Sequence, residues 1–355
     1  MNRIQRVLMQ MQNHQLHQLL ICDPLSINYL TGCYNDPGER MWVLLLKDNG
    51  EHLLFANRLF NVPPMDIAVR WYGDEDDCVS LLAQQIDVHQ TLGIDKDFPA
   101  RFLIPLVERS GVRVVLGSQC VDDVRAIKDE EELKYMFEAS AINDRVMEEV
   151  SNYIQIGMSE KEIARFIDQR YLDYGCQGNS FPSIVSFEEH AADPHHEPDD
   201  TILKEGQLVL IDIGCRKDDY CSDMTRTFFT SQPDEKHQLV YDLVKKANEK
   251  AISIIKPGVK LKDIDAAARD LITEAGFGPA FNHRLGHFIG QRDHEQGDVS
   301  SANEDIVKPG MVFSIEPGIY LKDEFGVRIE DLVVVTEDGC KTLNQLDKSW
   351  KIIAK

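Results

Sequence analysis

The stretch GMVFSIEPGIYLKDEFGVRIED, Gly310 to Asp331, decides the fold. Two acids, Glu316 and Glu330, stand inside otherwise strand-like runs: Phe313-Ser314-Ile315 leads into the first and Val327-Arg328-Ile329 into the second. Gly318, Asp323 and Gly326 between them supply turn chemistry. A carboxylate in an apolar strand is costly to bury unless something cationic holds it. For this stretch alone, two buried salt bridges would answer the problem.

The pattern occurs twice, however. Upstream, Gly206 to Asp223 reads GQLVLIDIGCRKDDYCSD. Laying Gly206–Gly214 on Gly310–Gly318 places Asp212 on Glu316, and the next acid after the turn is Asp223 in one copy and Glu330 in the other. Gly157, Ile163 and Gly175 recur as Gly258, Ile264 and Gly276 at a constant offset, each set framing a helix. This region reads as a duplicated unit, a helix followed by a carboxylate-bearing hairpin. Two facing copies would gather four carboxylates. Such a group repels itself until some members protonate or divalent cations neutralise them, and two divalent ions would balance the charge.

Composition narrows the class. A chain of 355 residues suggests two domains. A formal net charge of −22, spread along the chain, argues against a nucleic-acid partner. No apolar run approaches the roughly 20 residues that span a bilayer, so no membrane partner is expected. The N-terminus, MNRIQRVLMQMQNHQLHQ, lacks the apolar core of a signal peptide. Its Ile4, Val7, Leu8 and Met11 mark one face of an amphipathic helix instead. The eight cysteines are scattered and fit reduced thiols in a cytoplasmic protein. Cys215 and Cys221, flanking the first acidic hairpin, read as packing thiols.

Residues 1–124 alternate strands and helices and predict an α/β domain. Gln18–Cys22 reads as a strand broken by Asp23-Pro24, with another short element from Ile27 to Thr31. Met41–Leu46 and His52–Phe55 are strands around the hairpin signal Asp48-Asn49-Gly50. Val79–Ile86 reads as a helix, and Thr91–Ile94 and Val112–Leu116 as strands. The polar loop Tyr34–Arg40 is either a solvated turn or a segment reaching over an active site, in this chain or a neighbouring subunit. The boundary falls within Asp122–Lys128, leaving residues 125–355 as an α+β domain. There, Asp129 with Glu132 and Ser159 with Glu162 predict capped helix starts, and Gly175 ends the second helix. Pro233 to about Lys256 and Asp263–Ala275 are further helices.

The histidines bear on the acids. His283-Arg284-Leu285-Gly286-His287 places two imidazoles four residues apart, and His294 follows. A zinc-protease helix is excluded, since Arg284 stands where that motif needs glutamate and Gly286 disfavours a helix. Asp193-Pro194-His195-His196-Glu197 lies shortly before Asp212.

With these residues in view, the chain resembles the pita-bread metallopeptidases, the group of prolidase, aminopeptidase P, methionine aminopeptidase and creatinase. The likeness rests on Asp212 in LIDIG, Asp223 in SDMTRTF, His287 in HRLGHFIG, Glu316 in SIEPG and Glu330 in VRIED. Asp23-Pro24-Leu25-Ser26 and the LTG at 30–32 resemble the extra N-terminal domain of prolidases and aminopeptidases P. The resemblance implies an α/β N-terminal domain followed by an α+β pita-bread domain with an internal pseudo-twofold repeat.

It also implies a ligand set for two divalent ions: Asp212 on one, His287 and Glu316 on the other, Asp223 and Glu330 bridging. Mostly oxygen donors with one imidazole favour Mn²⁺, with Co²⁺ or Zn²⁺ as substitutes. A hydroxide held by the pair would attack a peptide carbonyl. Glu316 would shuttle the proton, His195 and His294 would bind the carbonyl and its oxyanion, His283 would line the pocket beyond the cut, and Arg328 would orient Glu330. The HRLGH and NDPGER stretches look most like bacterial Xaa-Pro dipeptidases, which implies a small peptide substrate and a homodimer. The runner-up is aminopeptidase P, acting on longer peptides. Arg292 is the candidate clamp for a dipeptide carboxylate. The chain departs from the usual pattern at Phe288, Asp219, Phe187-Glu188-Glu189 and Gln291-Arg292-Asp293, none of which removes a ligand.

Overall fold

The computed structural model describes residues 1–353. The chain divides into two units after Arg125.

In the first unit the N-terminal amphipathic segment forms α1 (Arg3–Asn13), which buries Val7 and Met11 and is capped by Asn2. β1 (Gln18–Ile21) ends at Asp23-Pro24, and the break is the start of α2 (Pro24–Thr31). Asp23 caps the Leu25 and Ser26 N–H groups, and proline in the first turn has no N–H to leave unpaired. β2 (Val43–Lys47) and β3 (Leu53–Asn57) form the expected hairpin, with Gly50 at φ +85° in its turn. β4 (Ala68–Tyr72), β5 (Leu92–Ile94) and β6 (Val114–Leu116) complete a mixed sheet of order β4-β3-β2-β1-β5-β6, with α3 (Cys78–Ala83), α4 (Ala100–Ser110) and α5 (Gln119–Ala126) between and after them.

Two of these elements give no clear signal in the sequence. β4 is an edge strand with mostly exposed side chains, and α4 holds Pro105 in its interior and lacks a side-chain cap. In the polar loop, Arg40 forks onto Asp74 of the same unit at 2.8 and 2.9 Å.

The second unit is built twice over. Its first half opens with α6 (Glu130–Tyr153) and α7 (Glu160–Asp173), each started by the expected capping box. β7 (Gly178–Asn179), β8 (Ile184–Phe187), β9 (Leu208–Ile213), β10 (Cys215–Lys217), β11 (Tyr220–Cys221) and β12 (Met224–Phe229) follow. Its second half opens with α8 (Glu235–Ile254) and α9 (Leu261–Glu274), followed by β13 (Gly286–Phe288), β14 (Glu295–Val299), β15 (Val312–Ile315), β16 (Gly318–Leu321), β17 (Phe325–Arg328), β18 (Asp331–Val335) and β19 (Cys340–Thr342).

The halves match in detail. α7 and α9 are both 14 residues long. Gly157 and Gly258 precede them at φ +93° and +92°, and Gly175 and Gly276 follow them at +69° and +89°, left-handed values that glycine adopts without strain. Ile163 and Ile264 are both fully buried. Each long helix carries a buried asparagine whose amide donates to a strand carbonyl next to an acid: Asn143 to Ile213 and Asn248 to Ile315, both at 2.8 Å.

The apolar interior falls into two clusters, one holding Ile163, Ile167 and Ile211, the other Ile264, Ile272 and Ile315 together with Leu208, Leu210 and Phe229 of the first half. β9 pairs with β12 and β15 with β18, antiparallel in both cases, and a small hairpin projects between each pair. The acids sit where these hairpins leave the sheets.

Ile163→Ala and Ile264→Ala each remove a buried side chain from a different core. Each is expected to cost about 2–5 kcal/mol. Their costs are expected to add in the double variant to within about 0.5 kcal/mol, read from denaturant midpoints. Strong non-additivity would contradict separate cores.

Candidate metal centre

Five side chains converge, the four acids from equivalent places in the two halves and His287 from the second half alone. Asp212 is the penultimate residue of β9, and Asp223 immediately precedes β12. Glu316 immediately follows β15, Glu330 immediately precedes β18, and His287 is the middle residue of β13. Asp223, His287 and Glu330 are buried and offer ligand atoms within 4.8 Å of one another. His287 Nε2 lies 3.4 Å from Asp223 Oδ2 and 3.5 Å from Glu316 Oε1. Gly286 makes room for this: a Cβ there would lie 1.9 Å from the Ser314 carbonyl oxygen. HRLGH thus ends in a strand, as the glycine requires.

His287 is prepared for coordination. Its Nδ1 lies 3.2 Å from the Phe288 carbonyl, which can only accept, so Nδ1 carries a proton and Nε2 is the atom turned toward the acids. The acids are short of partners. Asp212 Oδ1, Asp223 Oδ1 and Glu330 Oε1 are buried with no hydrogen bond. Burial, with Asp212 as the next cause, drives the Asp223 carboxyl well above its ordinary range. Burial, followed by Asp223 and Glu316, does the same to Glu330. Burial pushes Glu316 up to about 7. Orphaned carboxyl oxygens around the Nε2 of one imidazole fit a divalent cation.

The sequence-predicted residues around the five fall into place unevenly. Arg328, expected to orient Glu330, donates to Asp212 Oδ2 at 2.6 Å and reaches Glu330 only indirectly. Its Nε donates to Thr225 Oγ1 at 3.0 Å, and that hydroxyl donates to Glu330 Oε2 at 2.8 Å. Register explains this, since Thr225 pairs with Asp212 across β9–β12.

Arg328 also donates to the Tyr320 hydroxyl at 2.9 Å, and that hydroxyl lies 3.1 Å from His283 Nε2. His283 Nδ1 lies 2.7 Å from the Arg284 carbonyl and must donate to it, so Nε2 accepts from Tyr320. Burial lowers His283 to about 4, in keeping with a neutral ring.

A cavity of about 630 Å³ opens onto these groups. Its walls include Phe181, Ile184, His195, His283, Arg284 and His294. Arg284 donates to His294 Nδ1 at 3.0 Å, which leaves the ring proton on Nε2. Burial also lowers His294 to about 4. Arg292, the expected clamp, is exposed and outside the cavity lining, while Arg284 stands within it. Sequence reasoning missed Arg284, Tyr320 and Thr225 as members of the site. Tyr320 and Thr225 had one usable signal, a polar group on a buried strand face.

Comparison with known proteins shows the family. Residues 134–337 match metallopeptidase family M24, and residues 3–127 match the creatinase/prolidase N-terminal domain. An uncharacterized peptidase of Staphylococcus saprophyticus is 37% identical, covering 98% of this chain and 100% of its own. The dipeptidase PepE of Mycobacterium ulcerans superposes with a TM-score of 0.94 at 32% identity, over 99% of this chain and 97% of that one. The prolidase of Pyrococcus horikoshii does so at 0.89 and 29% identity, over 98% and 99%. The protein belongs to metallopeptidase family M24, with a creatinase-type N-terminal domain and a pita-bread C-terminal domain. It is a hydrolase of a family that uses divalent metals.

The charge balance sets a pH test. A carboxyl raised in the folded state keeps a proton that the unfolded chain has released. Glu316 therefore costs stability as pH climbs from its ordinary 4.5 to about 7. Metal-free wild type is expected to lose stability relative to Glu316→Gln across that window in chemical denaturation, and saturating Mn²⁺ is expected to reverse the loss. A pH-independent difference would contradict the assignment.

Proposed function

We propose that this protein is a dinuclear-metal Xaa-Pro dipeptidase, acting as a homodimer in the cytoplasm. The observation that carries the reading is the convergence of Asp212, Asp223, His287, Glu316 and Glu330, with orphaned oxygens on three of them, beside a cavity of dipeptide size. Asp212 would serve one ion, His287 and Glu316 the other, and Asp223 and Glu330 both. Mn²⁺ suits this oxygen-rich set, and Co²⁺ or Zn²⁺ would substitute. The ions supply Lewis acidity and bring the pKa of water toward neutrality.

The chain's own residues do the remaining work. Glu316 takes a proton from the attacking water and delivers it to the departing amine. His294, its proton on Nε2, donates to the carbonyl oxygen as negative charge develops there, and His195, also in the cavity lining, joins it. His283, locked by Tyr320 and the Arg284 carbonyl, shapes the pocket for the residue after the cut. An Xaa-Pro bond has no N–H, so a site that grips the carbonyl instead of an amide donor suits it. Arg284 lines the cavity and is the guanidinium placed to fork onto a free carboxylate. The free thiols of all eight cysteines suit a reducing compartment. Among the described residues, no helix is long and apolar enough to cross a membrane. The homodimer rests on the family resemblance alone.

Three assays check the reading. With Mn²⁺ added, Leu-Pro should be cleaved in preference to Arg-Pro-Pro; the reverse order would favour aminopeptidase P. His294→Ala should lower kcat by about 10²–10³ with the fold retained, as for loss of one oxyanion donor. Arg284→Ala should raise KM for Leu-Pro while Arg292→Ala leaves it unchanged. A KM that moves only with Arg292 would return the clamp to that residue.

A further inference from the structure

A second knot of ionisable side chains lies outside the five ligands. Glu160, the first residue of α7, has a carboxylate with no solvent exposure. The Phe187 N–H donates to its Oε1 at 3.0 Å and the Asp199 N–H to its Oε2 at 3.1 Å. Each oxygen keeps a further lone pair. His190 Nδ1 meets Oε1 at 2.9 Å and His196 Nε2 meets Oε2 at 2.7 Å. The two imidazoles lie against each other with centroids 4.1 Å apart. Asp199 completes the group, and the four side chains offer ligand atoms within 4.8 Å of one another.

We propose that Glu160, His190, His196 and Asp199 form a separate site for one borderline divalent cation, zinc foremost. Two imidazoles with two carboxylates are a tetrahedral zinc donor set. Bonds of about 2.0–2.2 Å place tetrahedral donors roughly 3.3–3.6 Å apart, inside the span observed. Without metal, each imidazole donates a proton to Glu160. With metal, each ring's proton moves by solvent exchange to its other nitrogen, so that His190 Nδ1 and His196 Nε2 turn lone pairs on the ion, and the His–Glu separations open by about half an ångström. The positive end of the α7 dipole opposes a cation with roughly half a charge, which two carboxylates outweigh. The donor set is richer in imidazole than the five-residue centre, so zinc suits this site as manganese suits the other.

The placement gives the ion a task. His190, His196 and Asp199 lie on one segment that also presents His195 to the cavity, and His196 itself lines that cavity. The segment starts at Glu188, held at φ +45° with its carboxylate accepting from the Leu208 N–H at 2.8 Å. A bound ion fastens the other end of the segment to the start of α7 and holds His195 in the cavity wall. The inference concerns metal content and does not depend on which peptide bond is cut.

Zinc counting tests it. Full-length protein equilibrated with micromolar free zinc and analysed by elemental mass spectrometry is expected to hold three ions per chain. The folded double variant His190→Asn/His196→Ala is expected to hold two. Equal zinc counts in the wild type and the folded variant would overturn the proposal, while a count one lower throughout would bear on the five-residue centre instead. Because the double substitution strips a buried carboxylate of partners and could unfold the segment, a wild-type measurement stands beside it. In zinc-soaked crystals, an anomalous peak within bonding distance of His190 Nδ1 and His196 Nε2 supports the site, and its absence there overturns it.

Discussion

Four carboxylates cannot share a dry pocket as anions. Much of the second unit follows from that electrostatic fact. Asp212, Asp223, Glu316 and Glu330 are delivered by paired, buried strands, so little water reaches them to spread their charge. Arg328, a permanent cation, donates to Asp212 and Tyr320. Three oxygens stay buried and unpaired. An interior that leaves carboxyl groups in this state is stable only with protons or metal ions added, and the Nε2 of His287 beside them offers a further ligand atom for metal.

Around that centre, hydrogen-bond polarity is fixed step by step. The Phe288 carbonyl sets the tautomer of His287, the Arg284 carbonyl sets His283, and the Arg284 guanidinium sets His294. Each ring is left with a defined orientation: Nε2 of His287 toward the acids, an N–H of His294 toward the cavity. The relay from Asp212 through Arg328 and Tyr320 to His283 ties the metal side of the site to the substrate side. Duplication explains why the pieces meet. Two copies of one helix-and-hairpin unit, each anchored by a buried asparagine, bring equivalent acids together.

The duplication and its acids were legible because both impose periodic, chemically expensive residues: glycines that need positive φ, and carboxylates inside apolar strands. Capping boxes at Asp129 and Ser159 were legible for the same local reason. What escaped was non-local or masked. Edge strand β4 lacks alternation, and α4 hides behind Pro105. Asp23-Pro24 reads as a break, although in the fold it is a helix cap. The partner of Arg328 depends on cross-strand register between Thr225 and Asp212, over a hundred residues away in sequence. Arg284 and Arg292 are both arginines beside histidines, and only the path of the chain decides which one faces the cavity.

The central claim is that Asp212, Asp223, His287, Glu316 and Glu330 hold a pair of divalent ions. A crystal structure of Mn²⁺-loaded protein, with anomalous data collected at the manganese edge, tests it most directly. The account predicts two peaks among these five side chains, each within bonding distance of the ligands named for it. Manganese absent from that pocket, or bound only elsewhere on the chain, would contradict it.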